Sequence, residues 1–147
     1  MYIHFMMSPE IPEKFNPRLD HVGIAVEDID SASEIYVNLG LSSVWRETVE
    51  NQGVEVMFLQ VGESQIELLT PLHDDSLIAK FLKRRGPGLH HIAFRVENIR
   101  EVLDHCIAKG IAPIDAEPRR GAGNCLVAFL HPKSTNGVLI ELTQNIH

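Results

Sequence analysis

Two histidines and two glutamates occupy equivalent places in the two halves of the chain, and together they could bind a metal ion. His91 lies 70 residues after His21, and Glu141 follows Glu67 at a similar distance. Two neutral imidazoles and two carboxylates suit a divalent ion of borderline or hard character, such as Mn²⁺, Co²⁺, Ni²⁺, Zn²⁺ or Mg²⁺. Four protein ligands on an octahedral ion leave two adjacent positions for water or for a bidentate substrate.

The secondary structure that would carry these residues repeats as well. Segment 19–26 resembles segment 89–96, because both place a histidine at the third position and end in valine. Hydrophobic spacing predicts a helix after each segment, followed by three strand-like segments. The predicted elements are 29–39, 41–48, 54–61 and 64–70 in the first half, and 99–107, 111–117, 124–130 and 138–143 in the second. Each half therefore reads β-α-β-β-β, and a further amphipathic helix is predicted over 75–85.

This duplication predicts an α+β fold of two pseudo-symmetric βαβββ modules, which form an open, curved, eight-stranded mixed sheet around a metal site. The predicted organisation is an N-terminal extension (1–17), a first module (18–72), a linker helix (73–88) and a second module (89–147). The first 17 residues lack the pattern of a secretory signal.

Strand alternation predicts that the four candidate ligands share a face. In the first strand, Val22 and Ile24 belong to an apolar face that should pack against helices, and His21 points the other way. If the two modules face each other across a pseudo-two-fold axis, the two histidines and two glutamates converge on one point. Burying two carboxylates there is costly unless a cation compensates their charge.

The remaining histidines and both cysteines are predicted to be structural. His90 should point to the opposite face from His91, and the same structural role is expected of His4, His73, His105, His131 and His147. Cys106 and Cys125 form neither a disulfide framework nor the paired spacing of a zinc site. This cysteine usage favours a reducing cytoplasm.

Composition excludes several classes of function. The chain has 147 residues and a formal net charge of −7, with 13 Lys and Arg against 20 Asp and Glu. General nucleic-acid binding is not expected, because neutralising phosphates requires a basic face. No segment approaches the roughly 18 apolar residues that a membrane-spanning helix needs, so no membrane partner is expected.

Several stretches resemble a known family: 19–26, 66–72, 75–82, 88–94, 131–133 and 137–144. The paired modules resemble the vicinal oxygen chelate superfamily, which includes glyoxalase I and ring-cleaving dioxygenases, and more narrowly the methylmalonyl-CoA epimerases. The resemblance implies a metal-dependent isomerase that interconverts (2R)- and (2S)-methylmalonyl-CoA by α-proton abstraction through a metal-stabilised enolate. It also implies one divalent ion per chain, with Co²⁺ favoured, and a homodimer. The family's metal positions fall on His21, Glu67, His91 and Glu141, and some members carry glutamine in place of Glu67.

The sequence departs from the family at the general base. Many epimerases have Pro-Glu-Gln-Gly before the third strand, and some have a glutamate a few residues into it. Asn51 and Val56 stand at those two places here. Glu141, acting both as ligand and as base, and Glu50 are therefore the predicted catalytic residues, with Glu55 as an alternative if the register slips.

An anionic substrate also needs positive contacts in this acidic chain. The candidates are Lys133 and the segment 119–124, whose glycine-rich turn could hold an anion on its backbone N–H groups. The predicted substrate-binding residues are Lys133, Gly121, Gly123 and Asn124.

Two other functions remain open. The first is a lactoylglutathione lyase of the glyoxalase I type, which needs the same ligands and a differently shaped pocket. The second is a catalytically impaired homologue that binds a metal together with an acyl-CoA or a dicarboxylate, and Asn51 supports it. An iron dioxygenase is disfavoured because it uses two histidines and one carboxylate.

Overall fold

A computed structural model describes residues 15–146, and its strands form one eight-stranded mixed sheet accompanied by three helices. In chain order the elements are β1 (Arg18–Ala25), α1 (Ile29–Asn38), β2 (Ser42–Val49), β3 (Val54–Val61), β4 (Ser64–Pro71), α2 (Leu77–Arg85), β5 (Gly88–Arg95), α3 (Ile99–Ala108), β6 (Arg119–Gly121), β7 (Cys125–Leu130) and β8 (Ile140–Asn145). The predicted open, curved sheet is confirmed. Residues 1–14 of the predicted extension lie outside the described residues.

The two modules join through their first strands. The strand order is β2-β3-β4-β1-β5-β8-β7-β6, with β1 antiparallel to β5 at the centre. Each first strand also pairs in parallel with the last strand of its own module, β1 with β4 and β5 with β8. His21 pairs with Ala93, and Gly23 pairs with His91, so the two histidines are diagonal neighbours across the central strand pair.

Helices cover both faces of the sheet. On one face, α1 packs through Ile29 against Leu59 and Leu68, and α3 packs on the second module in the same way through Leu103. On the opposite face, Ile78 and Phe81 of α2 join a cluster of alternate strand residues, which comprises Ala25, Val49, Val54, Val56, Phe58 and Leu69. Alternation therefore placed α1 and α3 correctly, whereas α2 lies on the face that carries the histidines.

Each helix begins at a side chain that accepts a backbone N–H. Asp28 accepts from Ser31, Ser76 from Ala79 and Asn98 from Glu101. Such caps satisfy N–H groups that have no partner within the helix. None of the helices in residues 15–146 is long and apolar enough to cross a membrane.

The prediction of a strand over 111–117 is wrong. That segment has only an isolated bridge from Pro113 to Leu130, and the module's second strand is the three-residue β6. Pro113 and Pro118 cannot donate to a strand ladder. The Asp115 carboxylate accepts the Phe129 N–H at 2.9 Å, where a backbone carbonyl would otherwise pair. The second module is therefore an imperfect copy of the first.

Candidate metal centre

The four predicted ligands form one cluster at the middle of the sheet. The Nε2 atoms of His21 and His91 are 3.1 Å apart. Glu67 Oε1 lies 3.3 Å from His21 Nε2 and 3.2 Å from His91 Nε2, and Glu141 Oε1 lies 3.3 and 3.0 Å from the same two atoms. One ligand atom from each residue lies within 4.8 Å of all the others. The four side chains therefore converge, as strand alternation predicts.

The spacing of these atoms fits a single divalent ion. Adjacent ligands bonded at about 2.1 Å around an octahedral ion are roughly 3.0 Å apart. The distances that join imidazole nitrogens to each other and to the carboxylate oxygens, 3.0–3.3 Å, match that edge length. Two imidazoles and two carboxylates also provide the donor chemistry of Mn²⁺, Co²⁺, Ni²⁺ or Zn²⁺. The residues present therefore fit a resident metal ion.

The four side chains are buried, so their charges must be balanced within the cluster. His21, Glu67 and His91 are each 5% exposed, and Glu141 is 6% exposed. Burial lowers the pKa of His91, but hydrogen bonds to Glu141 and Glu67 outweigh it and raise that pKa to about 9. Burial raises the pKa of Glu141, but the two histidines outweigh it and lower that pKa to about 2. Without metal, protons on the imidazoles therefore balance the carboxylates.

This balance predicts that the metal-free protein loses stability as pH rises. The folded-state pKa of His91 lies above its ordinary value of 6.5, so its contribution to folding is complete below pH 6.5 and is lost as pH rises through about 9. His21 shifts in the same direction. We expect urea unfolding of metal-stripped protein to give a free energy that falls between pH 6.5 and 9. Metal-loaded protein is the control and should not show this fall; a constant value without metal would contradict the prediction.

Two β-bulges place a further polar side chain beside each histidine ligand. The β1–β5 register skips Asp20 between Leu19 and His21, and it skips His90 between His91 and Leu89. An extra residue in one strand re-aims its neighbours. Asp20 Oδ2 lies 2.7 Å from His21 Nδ1, and His90 Nδ1 lies 2.9 Å from His91 Nδ1. The prediction that His90 faces away from His91 is therefore wrong, because perfect alternation does not hold across a bulge.

These neighbours set the tautomer of each ligand. An Nε2 atom that binds a metal must lack a proton, so the proton of the neutral ring lies on Nδ1. The Asp20 carboxylate accepts a hydrogen bond from the His21 Nδ1–H. His90 can accept one from His91 only as a neutral ring, and its pKa is lowered to about 4 by burial and then by the charge on His91, with a smaller contribution from Arg84. Sequence inspection missed both residues, although they occupy equivalent places in the repeat.

The carboxylate beside His21 yields a direct prediction. Asp20→Ala leaves the His21 Nδ1–H without its acceptor, and loss of such a partner weakens metal binding by about 10- to 100-fold. Titration calorimetry with Co²⁺ measures the effect. Asp30→Ala is the matched control, because it removes the same charge from the surface pair with Arg46. Equal affinities of the two variants would contradict the role of Asp20.

The cluster faces a cavity of about 500 Å³ between the two modules. Phe58, Phe129, Trp45, Leu69 and Ile78 supply apolar wall, and Asp20, His90, Arg95 and Arg119 supply polar wall. The two outer edges of the sheet meet across it, because Gly123 N–H donates to Glu47 Oε1 at 2.9 Å and Asn51 Nδ2 donates to the Arg120 carbonyl at 3.1 Å. Both modules thus contribute walls to the cavity.

The structure brings only some of the other predicted site residues to this cavity. Glu50 lines it from a 3₁₀ turn over Glu50–Gln52, and Gly123 lines it although its N–H is already bound to Glu47. Lys133, Gly121 and Asn124 are not among its lining residues. Glu55 is unsuitable as a base because it pairs with Arg46, which also binds Asp30 of α1 on the other face of the sheet.

Comparison with known proteins agrees with the fold. The family model of the glyoxalase/bleomycin resistance protein/dioxygenase superfamily matches residues 20–129. The chain is 42% identical over 129 residues to the mitochondrial methylmalonyl-CoA epimerase of Homo sapiens, which covers 86% of this chain and 73% of that protein.

Solved structures show the same similarity. Methylmalonyl-CoA epimerase from Mycobacterium tuberculosis has a TM-score of 0.85 and 41% identity, covering 88% of each chain. A variant of the Streptomyces coelicolor methylmalonyl-CoA epimerase, in complex with 2-nitronate-propionyl-CoA, has a TM-score of 0.85 and 36% identity, covering 88% of this chain and 98% of that one. The chain therefore belongs to the glyoxalase/bleomycin resistance protein/dioxygenase superfamily, which is the vicinal oxygen chelate superfamily that its repeated motifs resemble.

Proposed function

We propose that this protein is a metal-dependent isomerase that interconverts (2R)- and (2S)-methylmalonyl-CoA. The observation that carries the proposal is the buried cluster of His21, Glu67, His91 and Glu141 at the wall of the cavity between the two modules. Relatives at 36–42% identity bear the name methylmalonyl-CoA epimerase, or ethylmalonyl-CoA/methylmalonyl-CoA epimerase in one case. One structural relative is a methylmalonyl-CoA epimerase in complex with methylmalonyl-CoA.

The reaction requires removal of the proton between a thioester and a carboxylate by a base on one face, followed by delivery of another proton from an acid on the opposite face. Glu141 is the proposed base, because its carboxylate lies at the cavity wall within the four-residue cluster. Glu50 is the proposed second proton-transfer group, since it lines the cavity wall. A divalent ion held by the cluster would supply Lewis-acid stabilisation of the negative charge that develops on the substrate's oxygens. The cavity walls from both modules would hold the substrate in position.

Arg119 is the best-placed cation for the substrate's carboxylate. It lines the cavity, and its buried Nε has no hydrogen-bond partner among the described residues, although Asp115 Oδ1 lies 3.5 Å away. A buried donor without a partner gains most from an anionic ligand. Lys133, Gly121 and Asn124 remain proposed contacts for parts of the substrate outside the cavity, and Gly123 remains a proposed contact at the cavity wall.

Exchange of the substrate's α-proton with solvent deuterium tests the proposal. Protein reconstituted with Co²⁺ should exchange the α-proton of methylmalonyl-CoA and convert one epimer to the other, and chelator should abolish both. The hemithioacetal of glutathione and methylglyoxal, assayed on the same preparation, tests the lactoylglutathione lyase alternative. Turnover of that substrate without exchange of methylmalonyl-CoA would overturn the proposal.

A second candidate function is a metal-dependent acyl-CoA- or dicarboxylate-binding protein that catalyses no reaction. Asn51 favours it, because the amide at the family's acid position donates to the Arg120 carbonyl and cannot remove a proton. Tight binding of methylmalonyl-CoA without deuterium exchange, in metal-loaded protein, would support this candidate.

The metal's identity, the assembly and the location are further proposals. Co²⁺ is the proposed resident ion, with Mn²⁺, Ni²⁺, Zn²⁺ and Mg²⁺ as alternatives that elemental analysis separates. We also propose a homodimer, which size-exclusion chromatography with light scattering would test. The two cysteines are unpaired in the structure, in keeping with the proposed reducing cytoplasm.

A further inference from the structure

The last two turns of α2 carry an unusual concentration of positive charge. Lys80, Lys83, Arg84 and Arg85 fall within six residues and are all exposed, in a chain whose net charge is −7. We call these four side chains the α2 basic cluster. Within residues 15–146, no carboxylate lies close enough to form an ion pair with any of them. The cluster is therefore available to an anion from outside the chain.

Helix stability does not account for the whole cluster. Cations near a helix C-terminus interact favourably with the helix dipole, which explains one or two of them. Lys80 and Arg84, however, are four residues apart on the same helix surface, and like charges at that spacing destabilise a helix. The sequence therefore retains a repulsive pair that the helix itself does not need.

A chain of contacts links the α2 basic cluster to the metal centre. His90 Nδ1 lies 2.9 Å from His91 Nδ1, the rings of His90 and Phe81 are 4.9 Å apart, and the Arg85 guanidinium lies 5.8 Å from the Phe81 ring. The opposite end of α2 lines the cavity through Leu77 and Ile78. Leu77 is also 72% exposed, so this apolar side chain lies both on the cavity lining and at the protein surface. The basic cluster thus begins about one turn of α2 beyond the cavity-lining Leu77 and ends at Arg85, about 12 Å along the helix axis from Leu77.

This arrangement matches the chemistry of coenzyme A. Coenzyme A has a long, uncharged pantetheine arm between its thioester and a nucleotide that carries a diphosphate and a 3′-phosphate. An arm that leaves the cavity past Leu77 and follows α2 would bring the phosphates to the basic cluster. Because the rest of the chain is acidic, this local cluster would also attract the polyanion as it approaches.

We propose that the α2 basic cluster, with Lys80 and Arg84 at its centre, binds the 3′-phosphorylated adenosine diphosphate of the acyl-CoA substrate. This inference rests on the proposed function and deepens it, since it names the part of the ligand that α2 recognises. Arginine and lysine are the side chains that bind phosphate best.

Calorimetric titration of metal-loaded protein with coenzyme A and with pantetheine tests the inference directly, because neither experiment depends on turnover. Wild-type protein should bind coenzyme A more tightly than pantetheine. The double variant K80Q/R84Q should lose about tenfold in affinity for coenzyme A and keep its affinity for pantetheine. Lys109→Gln is the matched control, because Lys109 also lies at a helix C-terminus, that of α3.

The kinetic counterpart separates this inference from the proposed function. K80Q/R84Q should raise KM for methylmalonyl-CoA and leave kcat at the wild-type value. Its kinetics with methylmalonyl-pantetheine should match those of wild type. Absence of turnover in wild-type protein would overturn the proposed function, while the titrations would still decide the role of the cluster. Equal binding of coenzyme A by wild type and K80Q/R84Q, or an equal loss in Lys109→Gln, would overturn the inference.

Discussion

Glu141→Gln is expected to reduce α-proton exchange by about 10³-fold while the fold is retained. A carboxylate base contributes on the order of 10²–10⁴ to such a rate, and an amide cannot accept the proton. Glutamine preserves the size of the side chain and keeps an oxygen that can face the imidazole Nε2 atoms of His21 and His91. Deuterium exchange in the metal-loaded variant, with metal content measured on the same sample, is the decisive measurement.

Glu67→Gln is the matched control for this prediction. Glu67 and Glu141 are equally buried, and both face the same two imidazoles. Some members of the family that the chain resembles carry glutamine at the position of Glu67, so an amide suits that place. We expect a smaller loss of exchange in Glu67→Gln than in Glu141→Gln at equal metal content. Equal losses would assign both carboxylates to ligation alone and move the base elsewhere, with Glu50→Gln as the next variant.

Gly23→Ala is expected to weaken metal binding by about 100-fold without changing a ligand. Gly23 pairs with His91 across the central strands, and the His91 ring lies directly over it. A Cβ atom at Gly23 would lie 2.1 Å from His91 Cε1 and 2.6 Å from its Nε2, so the ring must move. That movement displaces the Nε2 atom from the point where the four ligands converge.

The measurement is the affinity for Co²⁺ beside the thermal stability of the metal-free protein. Gly62→Ala provides the control, because its Cβ meets nothing within 4 Å but its φ of +56° strains an alanine. We expect Gly62→Ala to lower the melting temperature and to keep the metal affinity. Gly23→Ala should instead lower the metal affinity and keep the melting temperature. Wild-type metal affinity in Gly23→Ala would show that His91 is not held in place by this glycine.

The position of Asn51 also bears on how the family's chemistry is carried out here. In this chain the residue at the acid position joins the two edges of the sheet, through its hydrogen bond to the Arg120 carbonyl. Val56, at the second acid position, is fully buried in the cluster that α2 covers. Glu141 and Glu50 are consequently the acids on which the proposed reaction depends.

The sequence by itself determined the duplicated architecture and the cluster of two histidines and two glutamates. Hydrophobic alternation has a fixed period in a strand, so His21 and Glu67 had to lie on the face opposite Ile24 and Leu68. The repeat then carried the same argument over to His91 and Glu141. Composition and turn residues were enough for the helices and for most of the strands, because those signals are local.

Only the tertiary structure decided the details that depend on pairing between distant segments. The bulges at Asp20 and His90 arise from the register of β1 against β5, and no local pattern shows them. The path of 111–117 depended on prolines and on the Asp115 side chain replacing ladder hydrogen bonds. The side of the sheet that α2 covers was likewise set by packing. Local periodicity predicts which face of a strand a residue lies on. Register and packing depend on two segments together, so the sequence of one segment does not predict them.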